Sequence, residues 1–175
     1  MFELFTAAAR TAVMEATTEA TDRADTYVGS EHLLAGLLRE GTGMAAVVLA
    51  EQSVTLDAVR AAIDDLVGPR ATVPPQEALA SIGIDLGQVQ ARLEATFGPE
   101  ALAPPPTPFD ASAKQALEAA VAEADALRRR HVDTEHELLG LLQVTDGLAA
   151  KILDRLGVDL AALSELVRGR ATREA

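Results

Sequence analysis

The chain has 175 residues, 49% of them hydrophobic but only 3% aromatic, with no cysteine and a formal net charge of −12. That length can bury a real core without metals or disulfides, and the alanine-rich, aromatic-poor makeup suits close-packed helices better than sheet. The acidic balance excludes the basic stripe that nucleic-acid binding needs, and the missing thiols exclude disulfides, thiolate metal sites and a cysteine nucleophile.

The opening residues MFELFTAAARTAVMEATTEA carry Glu3 early and lack a basic region followed by an apolar core, so no signal peptide is expected. No run approaches the ~18 apolar residues of a spanning helix. The expectation is a soluble, cytoplasmic, all-α protein with neither nucleic-acid nor membrane partners.

In chain order, Thr6 is a candidate cap for a first helix carrying Ala9, Ala12, Val13, Ala16 and Ala20 at three- and four-residue steps to about Ala24. Ser30 is the expected N-cap of a short second helix with Leu33, Leu34, Leu37 and Leu38, broken by Gly41 and Gly43. Met44–Ala50 and Leu56–Val67 supply two more, the last opening near Thr55 and closing at Gly68-Pro69.

The same parts return with a constant offset of 104. Phe5–Ile63 laid over Phe109–Val167 gives 21 identities in 59 positions without a gap, among them Glu31/Glu135, His32/His136 and Gly36/Gly140. A fixed period of this kind marks a duplicated supersecondary unit. The second copy is expected as helices over about 110–130, 134–143, 147–156 and 159–168, with Thr134 capping the second and Thr134-Glu135-His136-Glu137 forming a capping box. Between the copies, 77–98 aligns with the final helix pair of each repeat and reads as an extra helical hairpin between stiff proline flanks. The organisation is therefore repeat 1 over 1–70, hairpin linker over 71–108 and repeat 2 over 109–170.

The repeated Glu-His pair invites a catalytic reading that the spacing rejects. Zinc peptidases need two histidines one helical turn apart, whereas His131 and His136 are five apart and His32 has no histidine neighbour. Adjacent helix residues point about 100° apart, and neither a nucleophile elbow nor a phosphate-binding Gly-rich loop occurs. No catalytic residue, metal or cofactor is expected. Glu31 and Glu135 in a first helical turn meet the positive end of the helix dipole, and the histidines fit a structural role.

The motifs F-T-x-x-A-R near the start, Y-V-G-S-E-H-L-L-x-G-L-L-R-E-G-x-G-x-A at 27–45 and V-T-L-D-x-V-R at 54–60 resemble the repeats at the N-terminus of Clp unfoldases, most closely the ClpC type. The resemblance implies a pseudo-twofold tandem of two four-helix Clp N-terminal repeats, without enzymatic activity, resembling a stand-alone actinobacterial-type protein that lacks the ATPase ring. It implies a partner in a Clp ATPase/protease or its substrate proteins, as adaptor or decoy. The family's known ligands add phosphoarginine or unfolded segments, or, as a different function, sequestration of a hydrophobic cyclic peptide antibiotic in the inter-repeat groove.

Carried over by position, the implied ligand-binding residues are Thr6, Ser30, Glu31, Thr134 and Glu135. Phosphoarginine would set its guanidinium on a carboxylate and its phosphate on a helix start. The chain departs from the family at Asp110, where a threonine is usual, and at Ala8 and Ser112, where arginine is usual. On that reading the first repeat, with Thr6 and Glu31, is the better anion site, and Glu135 beside Asp110 the poorer.

Overall fold

Thr6 lies in an extended conformation and accepts the Ala9 N–H on its hydroxyl at 3.2 Å, which starts α1 (Ala7–Asp22) as its sequence predicts. In this computed structural model the described residues are 2–68 and 107–173, with positions 83, 85, 87, 88 and 92 between them. A 3-10 turn, Phe2–Leu4, precedes α1, and α2 (Ser30–Glu40), α3 (Met44–Glu51) and α4 (Leu56–Val67) complete the first repeat. The second repeat has α5 (Ala111–Ala126), α6 (Thr134–Gln143), α7 (Leu148–Arg155) and α8 (Leu160–Arg173). The first helix of each repeat stops two to four residues short of its expected end, at Asp22 and Ala126, and the last runs on to Arg173.

Small residues bring the first two helices of each repeat together. Ala9, Ala12, Ala16 and Ala20 are buried along one stripe of α1, and Gly36 of α2 lies on that stripe. A Cβ at Gly36 would stand 2.2 Å from the Ala12 carbonyl oxygen, and one at Gly140 would stand 2.2 Å from that of Ala116. The glycine of each leucine-rich motif thus permits a backbone approach that no side chain would allow. Phe5, Leu34, Leu37, Leu49, Ile63, Leu138, Leu141, Leu153 and Leu163 fill the core around these pairs.

The two repeats form one compact unit, Met1–Gly68 with Thr107–Ala175, and Pro69–Pro106 forms another. Within the first unit, helices pack across the repeat boundary in matched fashion: α2 against α7, α6 against α3, and α2 against α6. The hairpin expected over 77–98 lies, apart from five positions, outside the described residues. No single described helix is long and apolar enough to cross a membrane.

Candidate functional site

The repeats are joined by exchanged backbone at the starts of α1 and α5. Phe5 pairs with Val132 and Val28 with Phe109 in two isolated parallel bridges. The Thr6 N–H donates to the Val132 carbonyl at 2.9 Å, and the Asp110 N–H donates to the Val28 carbonyl at 3.0 Å. Each first-helix start therefore sits beside the second-helix start of the other repeat. This corrects the pairing read from the sequence: Thr6 lies with Asp133 and Thr134, while Asp110 lies with Gly29, Ser30 and Glu31.

At the first junction, the Thr6 hydroxyl donates to Asp133 Oδ1 at 3.0 Å, and the same oxygen accepts the Thr134 N–H at 2.9 Å. At the second, Asp110 Oδ1 accepts the Ala113 N–H and the Ser112 hydroxyl, each at 2.8 Å, and Ser112 Oγ accepts the Ser30 N–H at 3.1 Å. A carboxylate therefore already lies at both helix starts. An incoming phosphate would meet like charge at either one, whereas the guanidinium of a basic ligand would meet an acceptor.

Ser30 and Thr134 are not N-caps. The caps are Gly29 and Asp133, one residue earlier, and the two hydroxyls instead turn to the other repeat. Ser30 Oγ accepts the Ala149 N–H at the start of α7 at 3.2 Å, and Thr134 Oγ1 accepts the Ala45 N–H at the start of α3 at 3.4 Å. Both residues are fully buried. A hydroxyl expected to close its own helix thus closes a helix of the other repeat.

The Glu-His pair separates in the same way. His32 Nδ1 accepts the Gly29 N–H at 3.0 Å, which leaves Nε2–H to donate to Asp25 Oδ2 at 2.9 Å. His136 Nδ1 accepts the Asp133 N–H at 2.9 Å, but Arg129 stands where the first repeat has Asp25, and His136 Nε2 has no partner among the described residues. Burial first, and Arg129 as well, lower the His136 pKa, while Asp133 opposes them. Both histidines are helix-start fixtures, and the capping-box role expected for Glu137 belongs to His136 with Asp133.

Glu31 folds back over Gly29, where a Cβ would stand 2.3 Å from its Oε2, and is only 2% exposed. Burial raises its pKa above the ordinary carboxylate range; His32 opposes the shift, and Asp110 and Asp25 add to it. Glu135 is also buried, with Oε1 3.9 Å from His136 Nδ1. Among the described residues no cluster of three metal-ligating side chains occurs.

The sequence reading passed over Asp133 and gave Glu137 no part beyond the capping box. Asp133 occupies the place of Gly29, and Glu137 the place of Leu33; comparing the repeats where they differ, rather than where they agree, would have singled out both.

Fold and junctions together define a duplicated four-helix module, its halves locked by exchanged helix starts. The Clp repeat (R) N-terminal domain family matches residues 4–96 and 108–174, and the chain belongs to it. A ClpA homolog of the ATP-dependent Clp protease ATP-binding subunit from Cyanidium caldarium is 34% identical over 169 residues, covering 96% of this chain and 16% of that protein. The chloroplastic chaperone protein ClpC1 of Arabidopsis thaliana is 31% identical over 159 residues, with 91% and 14% covered. The chain thus spans about a sixth of the length of these relatives. The solved N-terminal domain of ClpD from Arabidopsis thaliana superimposes with a TM-score of 0.69 at 25% identity, over 97% of this chain and 96% of that one.

Proposed function

We propose that the chain is a non-enzymatic adaptor or decoy, binding segments of Clp protease substrates or a Clp ATPase and altering which substrates the machine takes. The carrying observation is the family match across both repeats, which supports a substrate- or adaptor-binding role in general. The proposed binding face includes Thr6 and Glu135 at one junction and Glu31 beside Asp110 at the other. Ser30 and Thr134 act there as positioning residues, since their hydroxyls hold α7 and α3.

Asp133 and Asp110 favour unfolded segments carrying arginine over phosphorylated arginine, because each sets a carboxylate at a helix start, the place the family resemblance gives to the phosphate. The net charge of −12 acts in the same direction.

The test is a degradation assay with a Clp ATPase, its peptidase and an unfolded arginine-rich substrate, to which the chain is added in increasing amounts. An adaptor accelerates substrate loss and a decoy slows it. An unchanged rate, with no co-precipitation of ATPase or substrate, would sink the proposal. In parallel, matched peptides with arginine and phosphoarginine are titrated by calorimetry, and tighter binding of the phosphorylated form would overturn the assignment of the two carboxylates.

A further inference from the structure

Glu137 of α6 is 5% exposed, and among the described residues neither of its carboxyl oxygens has a hydrogen-bond partner. Leaving a carboxyl group buried and unsatisfied is costly, and a hydrophobic side chain would have fitted the place. The first repeat has one there, Leu33.

Both residues line the same pocket between the repeats. Its walls are residues paired at the offset of 104, Val13 with Leu117, Leu33 with Glu137 and Leu37 with Leu141, together with an alanine pair. The pocket therefore straddles the pseudo-twofold relation, and Glu137 is the single polar side chain among the described residues that line it. Val13, Leu33 and Leu117 keep 7%, 6% and 4% exposure, which puts the pocket just beneath the surface.

The charged groups acting on Glu137 are Asp133 before α6, Glu40 of α2 and Glu135 of α6, all acids. An anion is repelled by this field, and a neutral apolar ligand would leave the carboxyl group as unsatisfied as before. A cation on an aliphatic stem satisfies both features, its methylenes on the leucines and its head on the carboxylate.

We propose that this inter-repeat pocket receives a basic side chain of the bound polypeptide, with its aliphatic stem between the leucines and its cationic head paired to Glu137. The assignment rests on the binding-module reading and names the chemistry that module selects. The cavity measures about 10 Å³, room for roughly one water, so the stem enters only as its walls part.

The experiment is an NMR titration of the full chain with n-butylammonium, n-butylguanidinium and 1-butanol at fixed ionic strength, for the wild type, Glu137→Gln and Glu137→Leu. The leucine variant carries what the first repeat has at the same place, and thermal melts establish that both variants are folded. Saturable shifts at the amides of Leu33 and Leu141 are expected with at least one cation, and the better of the two tells lysine from arginine. Binding should be at least tenfold weaker for butanol and for either variant, and should weaken as pH falls and the carboxylate gains its proton. No saturable shift with either cation, or equal affinity in the glutamine variant, would overturn the site. If the degradation assay still responds to the Glu137→Leu chain as to the wild type, this pocket is refuted while the module reading stands; an inert wild type refutes the module reading, and the small cations still report on the pocket.

Discussion

Ser53 and Gly157 stand at the same place in the two repeats and share a left-handed backbone, with φ of 60° and 80°. Each closes a helix by the same pair of bonds. Ser53 N–H donates to Ala50 O and Val54 N–H to Leu49 O, both at 2.9 Å, while Gly157 N–H donates to Asp154 O and Val158 N–H to Leu153 O at 2.9 and 3.0 Å. Glycine adopts this conformation without the steric penalty that a Cβ carries. Ser53→Gly should therefore stabilise the protein by up to about 1 kcal/mol, and Gly157→Ser should destabilise it by a similar amount. Urea denaturation of the two variants measures both signs.

A harsher outcome is expected where glycine serves contact instead of conformation. A Cβ at Gly36 or Gly140 runs into the carbonyl of Ala12 or Ala116 and the backbone nitrogen of Ala16 or Ala120, at 2.2 and 2.7 Å in both repeats. Backbone cannot yield as a side-chain tip can, so α1 and α2, or α5 and α6, must move apart. Gly36→Ala and Gly140→Ala should each cost about 1–3 kcal/mol or more, as overpacking does. Thermal melting would show it, and a loss below about half a kilocalorie would mean that the helices slide at little cost.

The duplication made the fold legible, because 21 identities at one offset locate equivalent helices even where single caps are ambiguous. Thr6, Thr55 and Asp110 were readable as caps, and each accepts an N–H three residues on. Ser30 and Thr134 misled for a physical reason: a hydroxyl at a helix start looks the same whether it serves its own helix or another. A repeat pattern also aligns residues without saying whether a helix start packs within its own copy. The exchange that puts Thr6 beside Asp133 is a tertiary fact, carried by two backbone bridges that leave no trace in residue type.

That exchange predicts a measurable coupling. Thr6 and Asp133 are 127 residues apart in sequence and share a hydrogen bond of 3.0 Å. Thr6→Ala removes a helix cap and this link, at about 1 kcal/mol for the cap. A double-mutant cycle of Thr6→Ala with Asp133→Ala should give a coupling energy of at least about 0.5 kcal/mol, whereas Thr6→Ala with Glu31→Ala should add independently. The reverse pattern would restore the pairing within one repeat.

Two buried glutamates make opposite predictions for pH. Glu19, 1% exposed, accepts from Arg60 at 2.8 and 2.7 Å and from Arg39 at 3.2 Å. The hydrogen bond from Arg60 leads in holding its pKa below the ordinary carboxylate value, with burial opposing. Its contribution is thus present above the unfolded carboxylate pKa and is lost as pH falls through the folded one. Glu19→Gln should cost about 1.5–3 kcal/mol at neutral pH and much less in acid.

Glu137 reverses the sign. Burial, with Asp133, Glu40 and Glu135 adding to it, raises its pKa well above the ordinary range, so the folded state holds the proton more tightly than the unfolded chain. The resulting stabilisation is fully present below the unfolded carboxylate pKa and disappears as pH rises through the folded pKa, beyond which the buried group must ionise or the repeats must open. Glu137→Leu should therefore be more stable than the wild type at pH 7, by about 1–3 kcal/mol for removing an unsatisfied buried group. The gain should shrink as pH falls, and be smallest well below the unfolded carboxylate pKa, at about pH 3, where the wild-type acid is neutral in both states. Denaturation curves at several pH values would test this, and a difference independent of pH would mean that Glu137 does not titrate between the folded and unfolded chains.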